Sequence, residues 1–302
     1  MGILEASAVS SIDNTYTKGN TIHTTSSPES DLGGFIGVVN SLGVSINISN
    51  SYTTGTVTGS GPNVGGFIGA HKANGIIINS YSTGLVSNDT SDHTGGFIGL
   101  VSGASTISDS YSLSDVRSTG SYIGGFIGAG DSSNIGTSVS NSWALGDVKG
   151  FMRAGGFIGT NSGVSISYSH AHGNVQSDEQ TGGFVGNNIS TSGTLSWSYA
   201  TGEVKSNASV RTGGFVGLSE KGITDSYATG NVYGGNTTGG FSGQGHGDTT
   251  RSFATGNVYG ADNTGGFVGA QSGATYGNIF ATGNVYGANN VGGVAGITGF
   301  AN

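Results

Sequence analysis

The chain has no cysteine, which excludes disulfides, thiolate nucleophiles, thiolate zinc sites and iron–sulfur clusters. Proline is almost as scarce: only Pro28 and Pro62 occur in 302 residues, too few for a collagen or a proline-rich linker. Charged residues make up 9% of the chain, far below the charge density that holds segments open as disordered coil. No apolar run approaches the ~18 residues of a membrane-spanning helix. The start Met1-Gly2-Ile3-Leu4-Glu5 lacks the basic stretch and apolar core of a signal peptide, so any export signal is expected to be removed or to lie outside this chain. The few charges are 9 Lys and Arg against 17 Asp and Glu, a net −8. That sign repels phosphate backbones and anionic lipid, so neither a nucleic acid nor a membrane is expected as a partner.

What is abundant is glycine, at 61 residues, roughly three times its usual ~7% share. It is not scattered. Gly-Gly-Phe begins at positions 33, 65, 95, 124, 155, 182, 213, 239 and 265, and Gly292-Gly293-Val294 follows, at intervals of 26 to 32 residues. Between these blocks runs a second one, clearest as Tyr227-Ala228-Thr229-Gly230-Asn231-Val232, with equivalents at Tyr16, Tyr52, Tyr81, Tyr111, Trp143, His170, Tyr199, Phe253 and Phe280. The blocks alternate strictly and are therefore halves of one unit.

Each half is short, rich in β-branched and aromatic residues, and bounded by Gly, Asn, Asp or Ser, which predicts strand and turn. A helix would lose roughly 1 kcal/mol at each of these glycines. A unit of this size cannot bury its apolar face alone, but stacked copies place like residues in columns ~4.8 Å apart. The predicted fold is therefore all-β: a single parallel β-helix (β-solenoid) of about ten coils, one repeat per coil, over residues 12–296. Residues 1–11 are expected as an N-terminal plug and 297–302 as a tail.

Two buried aromatic columns are predicted. One runs through Phe35, Phe67, Phe97, Phe126, Phe157, Phe184, Phe215, Phe241 and Phe267, and the other through Tyr16, Tyr52, Tyr81, Tyr111, Trp143, Tyr199, Tyr227, Phe253 and Phe280. A valine column is expected at Val57, Val86, Val116, Val148, Val175, Val204, Val232, Val258 and Val285. Alternation as in Ile48-Ser49-Asn50-Ser51-Tyr52 places Ile and Tyr on one strand face. The Gly-Gly pairs are expected at positive φ or at a tight corner. The longer polar inserts, such as residues 25–31 and 87–94, are expected as loops on one edge.

The repeated Gly-Gly-Phe-Val-Gly followed by Asn-Ser-Tyr-Ala/Ser-Thr-Gly-x-Val resembles the GLUG repeat of bacterial surface and secreted proteins. Those include filamentous-haemagglutinin-like adhesins and immunoglobulin A-specific metallopeptidases. The resemblance covers nearly the whole chain. It implies a repetitive β-architecture in an extracellular or cell-surface setting, and with it a structural or adhesive role. It brings no peptidase chemistry, because the chain has no His-Glu-x-x-His element.

No convergent set of nucleophile, acid and base is legible, so no catalytic, cofactor or metal residue is assigned and the chain is expected not to be an enzyme. His170 and His172, with Asp178-Glu179 nearby, have metal-pair spacing, but both occupy columns of the repeat. Asp31, Asp92, Asp131 and Asp262 recur near the Gly-Gly blocks, without the Gly-Gly-x-Gly-x-Asp pattern of calcium-binding β-rolls. The Gly-Gly-x-x-Gly clusters lack the Gly-Lys-Ser/Thr ending of phosphate loops. The serines before each aromatic, Ser51 to Ser252, read as a hydroxyl ladder. Two binding alternatives remain. A threonine row (Thr54, Thr83, Thr201, Thr229, Thr255, Thr282), broken by Leu113, Leu145 and His172, would suit an ice-binding solenoid. Tyr168 and Trp197 would suit a glycan-binding module of an adhesin or phage fibre, which would make a glycan or host surface a partner.

The chain opens on a Tyr-type half and closes on a Gly-Gly-Val half. This leads to two expectations: a segment of a longer array, or a homo-oligomer growing head to tail into a filament through contact of Gly292 and Val294 with Tyr16 of the next copy.

Overall fold

The computed structural model describes residues 3–6, 10–23, 31–41, 45–89, 92–131, 136–189 and 192–299. These build an all-β parallel β-solenoid, with no helix among the described residues. In one coil the chain passes through Val57–Gly59, Asn63–Gly65, Ile68–His71, Gly75–Ile78 and Tyr81–Ser82, then re-enters the first position at Val86–Asn88. Every strand pairs in parallel with its equivalent one repeat away, so Val57, Val86 and Val116 stand in line, as do Tyr52, Tyr81 and Tyr111.

Four sheets result. A glycine-rich sheet of 11 strands runs from Ile3–Ala6 to Ala295–Thr298, an isoleucine sheet of 10 from Ser10–Asp13 to Tyr276–Gly277, and a tyrosine sheet of 10 from Tyr16–Thr17 to Phe280–Ala281. The fourth, a valine sheet of 18 strands, combines two strands from most coils. In the coils at Val175–Gly182 and Val204–Gly213 those two strands fuse into one.

The Phe ladder fills the main core. Phe67 to Phe267 are fully buried, with ring centroids 4.7–5.0 Å apart, while Phe35 is partly buried against the same core. Isoleucines such as Ile48, Ile77 and Ile107 close it from the facing sheet. The valine column forms a smaller second core with Leu32, Val64, Ile123 and Ala154, continuing through Val204, Val232 and Val258. Val285 is partly buried at its end.

Between the two cores the coil is pinched at Gly-Gly. A Cβ at Gly156 would lie 2.2 Å from the carbonyl oxygen of Gly183 and 3.0 Å from the Ala171 side chain. Close approach, not positive φ, thus explains these glycines; none of the Gly-Gly pairs appears among the positive-φ glycines.

The left-handed corners lie elsewhere, in two columns that sequence reading missed. One stands two residues before the surface aromatic: Asn14, Asn50, Asn79, Asp109, Asn141, Tyr168, Trp197, Asp225, Arg251 and Asn278, all with φ of 48–53°. The other stands two residues before Gly-Gly: Tyr122, Arg153, Gln180, Arg211, Thr237, Asn263 and Asn290. Asn and Asp tolerate this conformation better than other non-glycine residues.

Three expectations are corrected by this geometry. The left-handed residue between Ile48 and Tyr52 turns the chain, so Ile48 points into the core while Tyr52 stacks on the outside. The second aromatic column (Tyr16, Tyr52, Tyr81, Tyr111, Trp143, Tyr199, Tyr227, Phe253, Phe280) is consequently a half-exposed surface ladder, and Tyr16 and Phe280 are 56% and 50% exposed. The residue that enters the interior is the next one: Thr53, Ser82, Ser112, Ala144, Ala171, Ala200, Ala228 and Ala254. Finally, Ile3–Ala6 is no plug but a strand of the glycine-rich sheet, pairing Ile3 with Val38. Residues 25–30 of the first long insert lie outside the described residues. The second is partly strand rather than loop: its residues 87–88 and 93–94 belong to Val86–Asn88 and His93–Gly95 of the valine sheet.

Candidate functional site

The serine ladder is fully committed to backbone. Each hydroxyl donates to the carbonyl two residues earlier and accepts the N–H of the serine one repeat before it, as in Ser142 Oγ to Ser140 O at 2.8 Å and Ser110 N–H to Ser142 Oγ at 3.4 Å. The same pattern runs from Ser80 to Ser252, while Ser51 Oγ accepts from the Thr15 N–H. These hydroxyls satisfy amides that the left-handed corner leaves without strand partners, and none has a base beside it.

At the next corner Asn and Asp form a parallel ladder. Asp147 N–H donates to Asp115 Oδ1 at 3.0 Å and Asn174 N–H to Asp147 Oδ1 at 2.8 Å. Asp31 and Asp262 bind asparagines one repeat further on, Asn63 and Asn289. Among the described residues no three His, Asp or Glu side chains converge for a metal. His170 and His172 meet edge to face at 4.9 Å, and His172 Nδ1 lies 2.8 Å from Thr201 Oγ1. Burial and the neighbouring His172 lower the His170 pKa to about 4.

The tyrosine ladder makes one outer face, its rings stacked at 4.8–5.8 Å. Beside it Thr54, Thr229, Thr255 and Thr282 are exposed, and the row is interrupted by exposed Leu113, Leu145 and His172. Tyr168 and Trp197, each held at a left-handed corner, stack at 6.0 Å and are 59% and 54% exposed. A third aromatic stack, Tyr233, Tyr259 and Tyr286, lies on the valine sheet. Its signal was the recurring Val-Tyr-Gly after each of the last Asn residues, read only as the valine column.

A trough of about 460 Å³ follows the edge of the valine sheet, with Asp115, Asp147 and Glu203 in one row and Arg117, Lys149 and Lys205 in the next. Its rows carry opposite signs, and Lys205 Nζ meets Glu203 Oε1 at 2.6 Å. A second cleft of about 520 Å³ lies where the glycine-rich sheet meets the left-handed column before Gly-Gly. His93, Tyr122 and Arg153 form one wall: the His93 ring is 5.1 Å from Tyr122, and the Arg153 guanidinium sits over the Tyr122 ring at 4.7 Å. Arg153 also donates to the Tyr122 hydroxyl and, at 3.3 Å, to Gln180 Oε1. His93 Nδ1 bonds Asn63 Oδ1 at 2.8 Å, and burial lowers its pKa, which leaves the ring neutral at pH 7. Thr160 and Asn187 lie on the floor and Asp131 on the rim. Nothing in the sequence reading singled out this cleft beyond the recurrence of Asp131.

No family model matches the chain, and no solved structure matches it. A stretch of 63 residues, 21% of the chain, is 41% identical to Halomucin of Haloquadratum walsbyi, of which it covers 1%.

Proposed function

We propose that this chain is a non-catalytic scaffold at the cell surface or outside the cell, a rigid rod that presents repetitive faces for adhesion or assembly. The observation that carries this reading is the coil-by-coil identity of the ladders. Polar groups are spent on cross-coil bonds that hold neighbouring repeats in register, buried in the serine ladder and exposed in the Asn/Asp ladder. The GLUG-like motif and the short match to a protein named as a mucin point to the same setting. Extending the rod end to end, through Val294 and Gly292 against Tyr16, belongs to the proposal: Val294 and Tyr16 are 49% and 56% exposed. The test is surface labelling of intact cells of the source organism with a membrane-impermeant amine reagent, followed by recovery of this chain. Labelling at Lys72 and Lys205, both exposed, is the expected result; protection until lysis would overturn the extracellular setting.

A further inference from the structure

The side chains on the cleft floor belong to one column of the glycine-rich sheet. Strand register aligns Leu100, Ala129, Thr160, Asn187, Leu218, Gln244 and Ala270. The column therefore accepts Leu or Ala at ordinary cost, and all but Leu100 are buried. Where polar residues enter it, their groups need partners. Gln244 has them in Arg211 and His246. Thr160 and Asn187 do not: Oγ1 of one and Oδ1 of the other are buried without a hydrogen-bond partner, in side chains 4% and 6% exposed.

Both line the cleft, beside Leu100 and Ala129 of the same column. A scaffold alone gains nothing from replacing Leu or Ala by unsatisfied polar groups, whereas a site that reads hydroxyl groups needs acceptors of this kind. The surroundings fit the same chemistry. The His93–Tyr122–Arg153 stack is a rigid wall offering ring edges and guanidinium donors, and the Asp131 carboxylate lines the same cleft. With cation and carboxylate both present, the cleft has no single-sign field for an anion. It crosses four coils, a run of about 14 Å at ~4.8 Å per strand.

We infer that this cleft binds a neutral oligosaccharide, a polyhydroxylated ligand whose hydroxyls donate to Asn187 and Thr160 and accept from Arg153. This goes beyond the scaffold role, which any filled column would serve.

The test titrates the whole chain with maltotriose, cellotriose and N-acetylchitotriose, by calorimetry and by saturation-transfer NMR. Saturable binding of at least one is expected. The double substitution Thr160→Ala with Asn187→Leu copies residues already present in the column, so it should keep the circular dichroism spectrum and an equal or higher melting temperature. It should also weaken binding at least tenfold. Binding by none of the three, or equal binding by the variant, would overturn the inference. If the variant does not fold, amide-shift mapping on the wild-type chain decides: perturbations clustered at Tyr122, Arg153 and Asn187 support the site, and perturbations confined to Tyr168 and Trp197 overturn it.

Discussion

Single residues carry the backbone strain of this fold. Thr237, β-branched and held at φ 59°, occupies a conformation that costs a non-glycine residue about 1–2 kcal/mol. Its equivalents Asn263 and Asn290 occupy it more cheaply. Thr237→Asn is therefore expected to raise stability by about 1 kcal/mol, read from the urea midpoint.

His71 is a second point of tension. Its Nδ1 lies 3.3 Å from Ser105 Oγ, which itself donates to Ala73 O, and Nε2 has no partner. Complete burial pushes its pKa down to about 4. The unfolded imidazole titrates near ~6.5, so between these values the unfolded chain holds a proton that the folded chain does not. Stability is full above pH ~6.5, falls as the pH drops toward about 4, and loses nothing further from this group below it. The loss should be about 3 kcal/mol. His71→Val, matching its column neighbours Val39 and Val101, should remove the His71 share of that slope in denaturation curves taken from pH 7 to pH 4, leaving the part due to His170 and His93.

At the scale of the element, ladders rather than isolated contacts set the energetics. Phe157 stacks on Phe126 at 4.9 Å and on Phe184 at 4.7 Å and is fully buried. Phe157→Ala should therefore cost about 3–5 kcal/mol. Ser142→Ala is expected to cost about 1–3 kcal/mol, because it strands the buried N–H of Ser110. Both values come from equilibrium unfolding. A cost below 1 kcal/mol at Phe157 would contradict its place in the core. The Phe ladder was legible because Gly-Gly-Phe recurs nine times in succession before Gly292-Gly293-Val294. The side taken by the tyrosines was not: a strand reading of Ile48 to Tyr52 assumes continuous extension, and the left-handed Asn50 breaks the alternation between them.

At the scale of the whole molecule, stability is close to a sum of coils and their interfaces. Because Val232 pairs with Val258, removing residues 232–257 joins Asn231 to Val258 and restores the Asn-Val corner of one fewer coil. That deletion should still fold to an all-β spectrum with a modestly lower melting temperature. Removing only 232–244 should not, because it deletes the valine strand and the Gly-Gly corner of one coil and leaves the rest of that coil unable to close. The end-to-end proposal is checked separately by sedimentation at increasing concentration, where axial association should appear as species without an upper size. A strictly monomeric species would remove it.

The sequence by itself determined the period, the parallel β-solenoid and the Phe and Val columns, since stacking turns recurrence along the chain directly into contact between coils. The inside or outside choice for the tyrosines, the strand made by Ile3–Ala6 and the cleft over Thr160 and Asn187 were decided only by tertiary structure. The reason is orientation. A column is visible in one dimension, but the direction it faces depends on where left-handed corners rotate the backbone. At those corners Tyr, Trp, Arg and Thr stand in for Asn and Asp, which removes the local signal. The polar pair at 160 and 187 becomes conspicuous only once its column is known to be buried, with Leu and Ala at other positions and Gln244 hydrogen-bonded.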